Sequence, residues 1–349
     1  MIVIRDDKNT SHQVFDLPFI DYPSINKIDR FENKVRTIQK HLHVSPLQPI
    51  KITLSDNTKV HYSGLVRNQN NTLFFLKIRL FDDAYVNNHF YKNKILGEIL
   101  NKFPDISLNS FTPALIEGTD DYLLYQYTPG KHIGERDGYN QTKYRKSHTK
   151  TLIDILQSIL DFPIELLPDN FERHGWSYIK FNIVVGGNFE NSLHEFERYF
   201  NTHELESIQL LLTNKKYQDL VDEKSVYLSH CDFQPTNVLK YQNRFHLVDW
   251  DASGIDHKFY DLIKFYLVHY RKPRLQDYFF HEALKQIGIK DNEMIVLLLA
   301  LISRSIFECK ILINILSNKQ STDYLLLKHI MDMRVKHVKI WIQQLNSFS

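Results

Sequence analysis

Cysteine is nearly absent from this chain. Two occur in 349 residues, Cys231 and Cys309, far apart and without metal-ligand spacing. That excludes a disulfide framework and a cysteine-based zinc site, and a reduced, cytoplasmic setting is the default. Glycine and proline are sparse, with 11 of each, while apolar content is ordinary and aromatics are plentiful, the profile of a packed globular protein. Neither sign of charge dominates: 43 basic against 41 acidic side chains leave a formal net charge of +2. Such a chain has no field suited to a nucleic-acid backbone, so no nucleic-acid partner is expected. Long hydrophobic runs are also missing. Met294 to Ile302 is too short to span a bilayer and reads as a buried helix. The N-terminus, M-I-V-I-R-D-D-K, is charged by its fifth residue and has no signal-peptide core. No membrane partner is expected, and no repeat or low-complexity tract is found.

The length suffices for two lobes with separate cores. Asp29 to His43 carries a helical stripe (Phe31, Val35, Ile38, Leu42), closed off by Pro46 and Pro49. Residues 1–49 are read as an N-terminal extension packed on a lobe. From Ile50 the pattern changes to strands: Ile50–Leu54, Lys59–Val66 and Leu73–Leu80, separated by the turn sequences S-D-N-T and N-Q-N-N-T. A helix is predicted from Val86 to Phe103, then strands Ala114–Glu117 and Tyr122–Tyr127. Together they predict a small sheet with one helix against it over residues 50–128, bounded by Thr128-Pro129-Gly130. Residues 129–349 are predicted to be mostly helical, with an excursion of mixed structure at 161–190. The fold class expected is therefore α+β.

The most informative window is V-Y-L-S-H-C-D-F-Q-P-T-N-V-L-K-Y-Q-N-R-F-H-L-V-D-W-D, Val226 to Asp251. It places His230, Asp232, Asn237, Asp249 and Asp251 on two strand ends and one loop. A carboxylate at a strand end, Asp232, can accept a hydrogen bond from a substrate hydroxyl; catalysis by such a base is typically worth about 10²–10⁴ in rate. An amide five residues on, Asn237, can turn its oxygen onto a divalent metal. Asp249 supplies the hard anionic ligand that Mg²⁺ prefers. Asp251 points to the same side as Asp249 if the strand geometry persists, as a second metal ligand or a substrate contact. His230 is read as a structural histidine bonded to the loop backbone. This is the equipment of phosphoryl transfer.

H-C-D-F-Q-P-T-N-V-L resembles the catalytic loop of the aminoglycoside phosphotransferase and choline kinase group, and L-V-D-W-D resembles its metal-binding segment. The resemblance implies a protein-kinase-like fold of two lobes, with ATP and Mg²⁺ as cofactors and a small hydroxylated molecule as the partner. It implies that Asp232 is the catalytic aspartate and that Asn237 and Asp249 hold magnesium. Cys231 stands where the group's commonest pattern has glycine. Phe74-Phe75-Leu76-Lys77-Ile78 looks like the group's third strand, whose lysine grips the ATP phosphates. A lysine in an apolar strand is costly without a partner, and Glu98 on the following helix is the acidic candidate. Tyr122 to Gly130 resembles the hinge, where groups of Gln126, Tyr127 and Thr128 would read adenine. Asp261, in F-Y-D-L-I-K-F, resembles the aspartate that opens the helix after the metal segment, capping it or bracing the catalytic loop. The phosphate loop departs from the group, since Ser55-Asp56-Asn57-Thr58 has no glycine.

Two other readings are weighed. A protein kinase lacks support, because H-R-D and D-F-G are absent and only about a dozen residues separate Asp249 from Asp261, too few for a peptide-docking segment. A non-catalytic nucleotide-binding module would require loss of a key residue, yet Lys77, Asp232, Asn237 and Asp249 are all present. After Asp261, bases outnumber acids, which speaks against the acidic lining a polycationic aminoglycoside favours. A sugar, amino alcohol, choline-like metabolite or cell-envelope precursor stands open as acceptor.

Overall fold

The computed structural model describes residues 25–47, 61–80, 84–135, 141–142, 144–184, 196–267, 272–290, 292–317 and 324–348. They fall into two compact units. One holds the described residues up to Lys131 together with Glu165–Asp169 and Val238–Ala252, and the other holds the rest. The first division thus falls at Lys131/His132 rather than at Thr128. The segment carrying Asp249 and Asp251 groups with the sheet, not with the helices among which the sequence alone put it.

In chain order the sheet unit has helix α1 (Ile25–His41), strands β1 (Val44–Pro46), β2 (His61–Asn68) and β3 (Leu73–Arg79), helix α2 (Ala84–Lys102), and strands β4 (Leu115–Gly118) and β5 (Tyr122–Gln126). The five strands form one antiparallel sheet in the order β1-β2-β3-β5-β4. Leu76 and Ile78 of β3 join Tyr62, Val66 and Leu124 in a core sealed by Phe31, Val35 and Ile38 of α1. Side chains alternate along a strand, so Lys77 points to the opposite face. Its register partner there, Leu123, packs with Phe90 of α2. Two helices therefore cover the sheet, one on each face, where one was expected. Helix α1 is part of the sheet unit's core. Pro46 ends a short edge strand, a position that tolerates a residue without an N–H. The expected strand Ile50–Leu54 and the turn Ser55–Thr58 lie outside the described residues.

The helical unit holds α3 (Thr149–Leu160), α4 (Gly175–Val184), α5 (Thr202–Thr213), α6 (Lys215–Lys224) and β6 (Tyr227–Ser229). The chain then contributes the hairpin β7 (Val238–Tyr241) and β8 (Arg244–Leu247) to the sheet unit. It resumes with β9 (Gly254–Asp256), α7 (Tyr260–Leu267), α8 (Pro273–Ile287), α9 (Glu293–Ser317) and α10 (Tyr324–Asn346). Helix boundaries follow local chemistry. Asn201 and Glu204 form a reciprocal capping box at α5. Helix α8 starts on Pro273 and stops at Gly288, whose φ of 72° suits glycine. Val296 to Ile302 of α9 are buried all round, as the apolar run predicts. No described helix is long and apolar enough to cross a membrane.

Because α1 seals one face of the sheet, Ile38→Ala is expected to cost about 2–5 kcal/mol. A urea titration reads this as a lower unfolding midpoint at unchanged slope. An unchanged midpoint would remove α1 from the core.

Candidate active site

The helical unit builds one set of groups around the loop from His230 to Asn237. Strand β6 delivers the chain to His230, and the loop closes in a 3-10 turn over Pro235–Asn237. Asp261, in the first turn of α7, fastens it: its carboxylate accepts the N–H of His230 at 2.7 Å and that of Cys231 at 2.9 Å. Of the two roles weighed for Asp261, the geometry is that of a brace. Burial pushes its carboxyl up, partly offset by His230 and these hydrogen bonds. Cys231 has φ 60°, in the left-handed region where a side chain is strained. Here the strain is held by the Asp261 bond and by a Cys231 N–H bond to Ser229 Oγ at 3.2 Å. The thiol is buried and fills space.

Asp232 follows at once. Its Oδ2 accepts Asn237 Nδ2 at 2.7 Å and Gln234 Nε2 at 2.8 Å, while Lys264 Nζ stands 3.2 Å from Oδ1. Burial favours the neutral acid, but Lys264, His230 and the Asn237 bond outweigh it, and the carboxyl is held below its usual range. It is therefore an anion whose oxygens are fixed in direction. His230 is fully buried, and its Nδ1 accepts the Asp232 N–H at 3.3 Å. Asn237 also donates Nδ2 to the Asp232 carbonyl at 2.9 Å. With its nitrogen so engaged, its amide oxygen is the atom left to face a cation.

The sheet unit builds a second set. Lys77 is only 4% exposed. Its Nζ bonds Asp251 Oδ1 and stands 3.3 Å from Asp249 Oδ1. Burial would discharge the ammonium, but the two aspartates more than compensate and raise its pKa. Asp251 is likewise disfavoured as an anion by burial, yet lowered by Lys77. The strand geometry expected to align Asp249 with Asp251 does not persist. Strand β8 ends at Leu247, Asp249 takes φ 69°, and Trp250–Ala252 form a 3-10 turn. Both carboxylates reach Lys77 through this turn, with Trp250 buried beside them.

The lysine's partner is thus not Glu98. That side chain is exposed, and no ion pair joins it to Lys77 among the described residues. The residue of α2 that meets the pair is Asn93, five positions earlier and about 140° away around the helix. Gln126 closes β5 with its N–H already given to the Ala114 carbonyl at 2.9 Å. Tyr127 and Thr128 follow beyond the strand end, half-buried. Asn93 and Lys264 were missed from sequence. Asn93 interrupts the apolar stripe of Phe90, Leu96 and Leu100, and Lys264 lies three residues after Asp261 on the same helix face. Those are the signals that would have found them.

Asn237 in the helical unit presents an amide oxygen and Asp249 in the sheet unit an exposed carboxylate, each a hard-oxygen group of the kind Mg²⁺ prefers. Among the described residues no group of three or more His, Cys, Asp or Glu is placed to hold a metal ion.

No family model matches the chain, and no curated protein sequence matches it either. Solved structures do. Choline kinase LicA from Streptococcus pneumoniae aligns over 89% of this chain and 99% of its own, with TM-score 0.54 and 16% identity. Amicoumacin kinase hAmiN, in complex with AMP-PNP, Ca²⁺ and Ami, aligns over 90% and 96%, with TM-score 0.53 and 14% identity. A type I macrolide 2'-phosphotransferase aligns over 88% and 97%, with TM-score 0.52 and 11% identity.

The Asp261 carboxylate accepts two buried N–H groups, only one of which, that of Cys231, also reaches Ser229 Oγ. Asp261→Ala is therefore expected to lower stability by about 1–3 kcal/mol, the cost of the His230 donor left without this acceptor. Asp261→Asn, which keeps one acceptor, should cost about half. Denaturant unfolding measures both, and wild-type stability in Asp261→Ala would contradict the brace. Taken with its α+β architecture, the likeness shows that the chain has the kinase-like fold of these choline, amicoumacin and macrolide kinases.

Proposed function

We propose that this protein is an ATP- and Mg²⁺-dependent phosphotransferase that moves the γ-phosphate to a hydroxyl of a small molecule. The observation that carries the reading is Asp232: a partly buried aspartate, its side chain 27% exposed, kept ionised by Lys264 and oriented by the amides of Asn237 and Gln234. A carboxylate fixed in this way costs little to reorganise when a hydroxyl binds it. Support also comes from Lys77, a cation on a sheet beside two aspartates, and from solved structures of the same fold, one of which carries AMP-PNP and Ca²⁺.

In this reading Asp232 accepts the hydrogen bond of the acceptor hydroxyl and aligns its oxygen for in-line attack. Lys77 binds the triphosphate, and groups of Gln126, Tyr127 and Thr128 meet the adenine. Asn237 and Asp249 would hold Mg²⁺, which when bound neutralises phosphate charge. Asp261 and His230 keep the loop in the shape that aims Asp232. Lys264 holds the carboxylate against rotation. The acceptor is a hydroxylated metabolite or antibiotic of the kind named for the similar structures, which include aminoglycosides, macrolides and choline.

ADP release with Mg²⁺ and ATP, screened against hydroxylated metabolites, aminoglycosides and macrolides, tests the reading. Turnover on at least one acceptor is expected, falling by about 10²–10⁴ in Asp232→Ala. Lys264→Gln should slow turnover by about 10–100-fold, the worth of a charged hydrogen bond of roughly 1.5–3 kcal/mol. Turnover unchanged in Asp232→Ala would overturn the role of Asp232.

A further inference from the structure

Two aspartates meet Lys77, and their surroundings differ. The Asp249 side chain is 49% exposed and that of Asp251 only 17%. A metal ligand has to remain open to the metal and its other ligands, which describes Asp249. Asp251 is committed inward. Its Oδ1 accepts Lys77 Nζ and, at 2.5 Å, Asn93 Nδ2. Asn93 is itself buried and has no freedom to turn. Its Nδ2 also donates to the His89 carbonyl at 3.0 Å, and its Oδ1 accepts the Tyr125 hydroxyl at 3.3 Å. Donor faces acceptor at every link, so a reversed amide would set its oxygen against both the Asp251 carboxylate and the His89 carbonyl.

We propose that Asp251 is the resident counter-ion that positions Lys77 for nucleotide phosphate, and that Asn93, fixed by Tyr125, aims Asp251. Helix α2 then contributes an amide where a carboxylate was expected, and the charge comes from the turn after β8. A second acid at position 93 would stand against Asp251 and compete with it for the lysine. The amide instead supplies the donor that a carboxylate needs. This is a positioning role, and it rests on the nucleotide-binding reading given above.

The test is isothermal titration of ATP into the full chain, with excess Mg²⁺ and separately with EDTA. Asp251→Asn is expected to weaken binding at least about tenfold under both conditions, because the lysine is displaced whether or not metal is present. Asp249→Asn should weaken it only with Mg²⁺, and Glu98→Gln under neither condition. The double variant Asn93→Asp/Asp251→Asn returns the charge to the lysine from the helix side and should regain most of the lost affinity in EDTA. Where Asp251→Asn fails to fold, judged by its circular dichroism, Tyr125→Phe serves instead, with a loss of about threefold under both conditions. A loss in Asp251→Asn confined to Mg²⁺ would make Asp251 a metal ligand and overturn the proposal. So would wild-type affinity in Asp251→Asn or Tyr125→Phe, a loss in Glu98→Gln, or a double variant no better than the single. A wild-type protein that binds no ATP at all would overturn the phosphotransferase reading with it.

Discussion

A lysine ammonium buried in an apolar sheet is the constraint around which the first unit is organised. Leaving such a charge unpaired in a protein interior costs several kcal/mol. Among the described residues, the strands and helices near Lys77 in sequence supply no anion that touches it. Its partners lie 172 and 174 residues further on, at Asp249 and Asp251. The sheet unit is discontinuous in sequence: Val238–Ala252 belongs to it and carries the lysine's counter-charge. Asn93 and Tyr125 extend the same network to α2 and β5.

The helical unit solves a related problem with different means. There the group to be kept charged is a carboxylate, Asp232, and its neighbours are a cation and two amides. The loop that carries it includes a residue in the left-handed region, Cys231, which is held in place by Asp261. The second left-handed residue of interest, Asp249, lies two residues beyond β8, as Cys231 lies two beyond β6. Local strain stored at both aspartate-bearing turns is compatible with sites whose geometry is set by the surrounding structure.

Much of this was legible in the sequence, for identifiable reasons. Asp232, Asn237, Asp249 and Asp261 lie within one short stretch whose strands follow from local pattern, although the turn that carries Asp249 and Asp251 does not. Lys77 stood out because a charge in an apolar strand is anomalous. The α1 stripe was readable as a helix, but its seat on the sheet was not, since periodicity identifies an apolar face without naming what covers it. Glu98 was misassigned because acidity was weighed above helical phase: the face of α2 that meets Asp251 carries Asn93. Lys264 went unnoticed because its meeting with Asp232 depends on how α7 packs against the loop. Contacts of that kind are tertiary, and a single chain's spacing does not encode them.

The central claim is that a buried, doubly paired Lys77 is a ligand for nucleotide phosphate. The most direct measurement is the dissociation constant of MgATP for the wild type and for Lys77→Met, which keeps the stem and removes the charge. The account predicts saturable one-to-one binding by the wild type and a loss of affinity of at least about tenfold in the variant, equivalent to roughly 1.4 kcal/mol. Equal affinity in the two proteins would contradict it.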